Sequence, residues 1–233
     1  MPLHGVYAEQ RQGKKTMHIE PGVVTGAKII LSYATAAGAL AWGARLAWQE
    51  IRERGLPSVV SRAAIATGLV FSFFEILPHF RVGVSEVHLI LGSSLFLIFG
   101  AAPAAIGLAL GLLTQSLFFV PADLPQYGMN VTTLLVPLFA MSALARRVIP
   151  EKTAYVDLRY GQAMRLSLAF QGGIVSWVGF WALYGHGFSA QNLAQIASFG
   201  AAYMSVILIE PLADLAILAV AKTLHRFRNS GLF

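Results

Sequence analysis

The sequence predicts an all-α integral membrane protein, a bundle of about seven transmembrane helices. Of its 233 residues, 56% are hydrophobic and 12% charged, against roughly 45–50% and about 25% in soluble domains. Apolar runs of about 20 residues, enough to cross roughly 30 Å of hydrocarbon as a helix, recur along the chain with turn-forming residues between them. Lys and Arg gather beside alternate connections rather than evenly.

The first run, Val24–Trp48, is rich in Ala and Gly. Its pairs Ala34/Gly38, Ala37/Ala41 and Ala39/Gly43 fit either an internal helix contact or the docking of another subunit. The second is Ser61–Leu77. The third, Val87–Gly100, is short, and the turn Gly100-Ala101-Ala102-Pro103 joins it to the fourth, Pro103–Val120, as a hairpin with a partly re-entrant form as the alternative. Met129–Val148, Met164–Tyr184 and Ala194–Lys222 follow. In the last, Pro211 should kink the helix, and Glu210 and Asp214 fall four apart on one face. Their position past the middle of that helix suggests pairing with arginines at its far end.

Arg45, Arg52, Arg54 and Arg62 flank the first connection, Arg146, Arg147, Lys152, Arg159 and Arg165 the fifth, and Lys222, Arg226 and Arg228 the end of the chain. The alternate connections hold only Arg81. Positive flanks stay cytoplasmic, so the C-terminus is expected inside and the N-terminus outside. Arg11, Lys14 and Lys15 contradict that orientation unless the working chain starts at Met17. Residues 1–16 are therefore read as an extension, and residues 17–233 as one transmembrane domain. As a secretory leader the first apolar run is too long for a core of about 7–15 residues.

There is room for one membrane domain and none for a separate ATPase or catalytic domain of ordinary size. The chain has no cysteine, which excludes disulfides, thiolate metal sites and cysteine nucleophiles and leaves any metal to nitrogen and oxygen donors. The net charge of +6 does not point to nucleic acid, because the basic residues border apolar runs and no DNA-reading motif accompanies them.

His18 (in MHIEPG) and His88 (in SEVHL) fall at the outer ends of the first and third runs. Neutral imidazole suits late divalent ions, and a sulfur-free, nitrogen-rich set suits nickel or cobalt. The Met17 amine, the His18 backbone nitrogen and imidazole, and the His88 imidazole could close a square plane of four nitrogens. Spacing alone favours two interfacial histidines over a metal motif. His79 suits an access route or the interface, His186 a mobile solvated loop between glycines, and His225 a solvated cytoplasmic end. Glu75, Gln115 and Asn130 lie at similar depth and could orient the imidazoles through hydrogen bonds, or simply join helices.

Four segments in order, MHIEPG, FEILPHFRVGVSEVHLILG, GLLTQSLFF and QYGMNVTTLLVP, resemble the CbiM/NikM-type substrate-binding component of cobalt and nickel energy-coupling-factor transporters. The resemblance runs from Met17 to about Leu144. It implies that Met17, His18 and His88 bind Ni²⁺ or Co²⁺ as transported substrate, with no prosthetic group. Gln115, Gly128 and Asn130 match polar and glycine positions typical of the family. Partners implied are a transmembrane coupling protein, two ATPase subunits and often a small accessory membrane protein, in a bacterial inner membrane. The chain carries no phosphate loop of its own. Glu20 before Pro21, Ser85-Glu86 in place of Thr-Ser, and Gly92 one residue late depart from the pattern. The competing reading is a polytopic membrane enzyme using Glu75, Glu210, Asp214 and the histidines, although no HExxH or Ser-His-Asp arrangement supports it.

Overall fold

The computed structural model describes Ile19 and residues 22–229. Met17, His18, Glu20 and the 1–16 extension lie outside the described residues. The helices are α1 (Ile29–Arg54), α2 (Leu56–Ile76), α3 (Gly92–Phe99), α4 (Ala101–Phe118), α5 (Tyr127–Val148), α6 (Tyr160–His186) and α7 (Ala190–Asn229). All but α3 are long and apolar enough to cross a membrane. A small antiparallel hairpin, β1 (Phe80–Val82) and β2 (Ser85–Val87), lies between α2 and α3 and pairs Arg81 with Glu86.

Glycine decides how α2 and α4 meet. A Cβ on Gly107 would collide with Ala66, and one on Gly111 with Val70, so the two helices run parallel at a separation that only small residues allow. The chain between them must therefore return along the bundle. It does so as the hairpin, then as extended backbone through His88, then as α3, before turning at Gly100 with φ 92°. The third crossing is thus broken: helix begins at Gly92, not near Val87, and its eight residues span only about 12 Å. Non-helical backbone at such depth is tolerated where protein buries it, and Val84 to His88 and Ile90 are all buried.

α5 sits inside the bundle, with Leu134, Leu135, Leu138 and Met141 buried, while Phe170 and Trp181 of α6 pack into the same core. Between helices in lipid, close packing rather than transfer from water holds such contacts. At the other end, Gly55 (φ 80°) stops α1 and Pro57 opens the first turn of α2, the usual asymmetry of helix termini. Arg62 Nη1 bridges Glu50 Oε1 at 2.7 Å and the Phe99 carbonyl at 2.6 Å. One guanidinium thereby ties α1, α2 and the C-terminus of α3, where the helix dipole favours a cation.

The small residues of α1 divide. Ala39 and Gly43 are buried, with Gly43 against Phe139 and Ala105, whereas Ala34, Ala37, Gly38 and Ala41 are exposed and nothing lies within 4 Å of a Cβ built on Gly38. α7 continues through Pro211 as one helix.

Candidate metal centre

The hairpin delivers His88. Gly83 takes the positive φ of 60° that a tight two-residue turn requires, and a Cβ there would collide with the Gln195 carbonyl of α7. The turn is therefore seated directly on that helix. His88 follows β2 in the extended link to α3, so it precedes the third helix rather than opening it. Its ring is 4% exposed, with Phe74 edge-on at 5.4 Å and His79 stacked at 5.5 Å between centroids. Glu86 Oε2 lies 3.2 Å from His88 Nε2. His79, whose Nδ1 donates to the Leu77 carbonyl at 3.2 Å, belongs to this neighbourhood more closely than its place in the sequence suggested.

His88 and Glu86 line a cavity of about 30 Å³, with Ile19, Ser85, Asn130, Thr133 and Tyr203 contributing to the wall and Phe74, Ile174, Val178 and Phe199 closing it. That volume admits an ion with at most a water or two. The described part of the N-terminal segment reaches the cavity: Ile19 is 2% exposed, and its amide donates to Asn130 Oδ1 at 3.2 Å. Val23 and Val24 are buried beside it. Lys28 Nζ donates to the carbonyls of Tyr184 at 2.9 Å and Gly185 at 3.2 Å, closing the C-terminus of α6. No Cβ fits on Gly185 against the Val23 carbonyl, and His186 Nε2 donates to the Gly22 carbonyl at 3.2 Å. His186 is therefore the last residue of α6 and an anchor for this segment, not part of a free loop.

The three residues expected to orient the imidazoles separate. Asn130 lines the cavity, and its Nδ2 has no hydrogen-bond partner among the described residues. Gln115 Nε2 donates to Glu75 Oε1 at 3.0 Å, a link between α4 and α2, and neither residue lines the cavity. Sequence reading passed over Tyr203 and Thr133, which carry no spacing signal; Glu86 was visible as a departure from a pattern and, with Glu20 and His79, as a fourth donor were the Met17 amine missing.

Glu210 and Asp214 correct the sequence reading most. Among the described residues neither pairs with an arginine. Glu210, fully buried, accepts from the backbone amides of Ile90 and of Leu91 (3.0 Å) and from Gln171 Nε2, while Asp214 accepts from the Ser93 and Ser94 hydroxyls. Apart from Gln171 of α6, these donors sit at the start of α3, where helical backbone leaves N–H groups unpaired and the dipole favours anions. Glu210 thereby binds the backbone at Ile90, two residues along the chain from His88. Gln171 Oε1 in turn accepts from the Tyr203 hydroxyl at 2.9 Å. Burial and the Asp214 carboxylate push Tyr155, in the link between α5 and α6, up to about 12, so its hydroxyl stays protonated.

Among the described residues no group of three or more His, Asp or Glu stands ready to hold a metal. They contribute one buried imidazole and one carboxylate to a small cavity that the residue after His18 reaches. The family profile described as "Cobalt uptake substrate-specific transmembrane region" (CbiM) matches residues 18–229. The chain belongs to this cobalt uptake family. Two solved structures share the fold of this CbiM-family chain. A transition metal transporter aligns with TM-score 0.60 and 15% identity over 93% of this chain and 95% of its own. A truncated transition metal transporter aligns with TM-score 0.58 and 16% identity over 90% and 99%. A comparison with curated proteins finds no matching sequence. The family makes this a multi-pass membrane protein of metal uptake, and the two structures that share its fold are described as transporters, not as the enzyme of the competing reading.

Proposed function

We propose that this CbiM-family protein is the substrate-binding subunit of an energy-coupling-factor transporter in a bacterial inner membrane. It captures Ni²⁺ or Co²⁺ at the outer face, in the cavity beside His88, and yields it inward when ATPases on partner subunits drive a conformational change. The observation that carries this reading is Ile19. Its amide is bound by Asn130 on the wall of the cavity that holds His88. The Met17 and His18 donors then complete four nitrogens around one ion, a set that suits either metal.

Several features support the partners and the orientation. The chain has no phosphate loop, so energy comes from other subunits, a coupling protein and two ATPases, with or without a small accessory membrane protein. The exposed strip of Ala34, Gly38 and Ala41 on α1 offers a helix partner a close approach. The basic clusters support a cytoplasmic C-terminus.

A terminal amine is a good donor once deprotonated, and a chain that continues before Met17 cannot supply that amine. The test is calorimetry with Ni²⁺ and Co²⁺ on two purified forms, one starting at Met17 and one keeping residues 1–16 with processing blocked. The Met17 form should bind tightly and the extended form weakly. Equal binding by both would refute the amine ligand, and no binding by either would refute the metal site.

A further inference from the structure

We propose that Glu86 is itself a ligand of the transported ion, bound beside His88, so that the centre is a mixed nitrogen and oxygen site. The inference rests on the proposed reading of His88 as a ligand and, for the charge count below, on the proposed Met17 and His18 donors. Glu86 and His88 are two apart on extended backbone, which puts both side chains on one face. The hairpin fixes that register, because β2 pairs with β1 and Gly83 is wedged against α7. Arg81, across the ladder from Glu86, is exposed while Glu86 is buried.

The spacing of the two groups matches joint ligation. Donors bound at right angles to one ion, each at about 2.0–2.2 Å, stand about 3 Å apart. Glu86 Oε2 and His88 Nε2 are 3.2 Å apart, so an ion can join them with little side-chain movement.

Charge gives the second argument. The cavity is closed by Phe74, Ile174, Val178 and Phe199, and Glu86 is the one acidic side chain on its wall among the described residues. A divalent ion in such surroundings is costly unless its charge is matched. An amine and two imidazoles are neutral, and a deprotonated backbone nitrogen cancels one unit. The Glu86 carboxylate cancels the other and leaves a neutral centre.

The test is a Co²⁺ titration followed by visible d–d absorption, on the Met17-start protein and its Glu86→Gln, Glu86→Asp and Ser61→Ala variants, with thermal unfolding of the metal-free forms as a check of folding. Glu86→Gln should weaken Co²⁺ binding at least about 10- to 100-fold, the range seen for groups that only support a ligand, and shift the d–d bands. Glu86→Asp, which keeps the charge, should recover part of the affinity, and Ser61→Ala, an exposed position at the far end of α2, should behave as the parent. If Glu86→Gln does not fold, the Glu86→Asp bands decide, since drawing the oxygens back by one methylene must alter a ligand field they belong to. Unaltered bands in the folded variant overturn the proposal, whether affinity holds or falls, because the carboxylate then does no more than orient His88. If instead the parent shows no Co²⁺ bands, or His88→Ala keeps them, the metal-site reading itself fails.

Discussion

Two buried acidic centres meet the third crossing only a few residues apart, the α7 pair Glu210 and Asp214 at Ile90 to Ser94 and Glu86 beside His88, and their surroundings differ. Glu210 and Asp214 spend their oxygens on the protein's own donors: the Ile90 and Leu91 amides, Gln171, Ser93 and Ser94. Glu86 faces an imidazole on the wall of a cavity. A carboxylate whose acceptors are filled by backbone and hydroxyl groups holds structure together, whereas one beside a potential ligand at a cavity is placed to bind. The first centre also explains how the broken crossing survives in a membrane. Backbone amides that no helix satisfies need acceptors from within the protein, and α7 supplies them.

The comparison would break most visibly at Glu210. Glu210→Ala removes the acceptor of two buried amides and of Gln171, and each orphaned group costs about 1–3 kcal/mol. The protein should lose about 3 kcal/mol or more, read as a fall in thermal unfolding temperature in detergent, and metal binding should fall with it. Glu210→Gln, which keeps an acceptor oxygen, should lose much less.

His88→Ala should show the reverse pattern: affinity for Ni²⁺ and Co²⁺ down by about 100-fold or more, beyond what supporting groups give, with stability within about 1 kcal/mol of the parent. A stability loss as large as that of Glu210→Ala would show that His88 is structural and dissolve the contrast. Gly83→Ala sharpens it from another side. The substitution combines positive φ with a collision against the α7 backbone, a strain of about 1–3 kcal/mol. It should displace the strand that carries both Glu86 and His88, weakening metal binding by calorimetry while the Glu210 network remains.

The smallest effect belongs to Gln115→Ala. Its bond to Glu75 joins two helices away from the cavity, and such interhelical bonds average about 0.6 kcal/mol. Stability should change by about that much and calorimetric metal affinity not measurably. A clear loss of affinity would restore the role first expected of Glu75 and Gln115.

The crossings could be read in the sequence because lipid demands long apolar helices, and a composition so poor in charge allows little else. The histidine opening the third crossing was legible for a related reason: SEVHL stands at the edge of an apolar run. The hairpin before it was harder to see. Three-residue strands carry almost no periodicity, and Val82-Gly83-Val84 inside an apolar stretch looks like any loop. Glu210 and Asp214 were misplaced because four-residue spacing tells which face of α7 they share but not which partner meets it.

The sequence by itself determined the class of molecule, the approximate helix segments and the residue types from which a metal site could be built, since these follow from local composition and from the cost of polar groups in hydrocarbon. Only the tertiary structure decided that the third crossing is half extended, that Asn130 rather than Gln115 meets the Ile19 amide, and which carboxylate faces the cavity. Those outcomes depend on partners 39 to 120 positions away in the chain, as with Gln171 and Glu210 at 39, Ile19 and Asn130 at 111 and Ile90 and Glu210 at 120. Spacing along one helix carries no information about such pairings, because the close approaches of other helices, at Gly83, Gly107 and Gly111 among them, fix what each face meets.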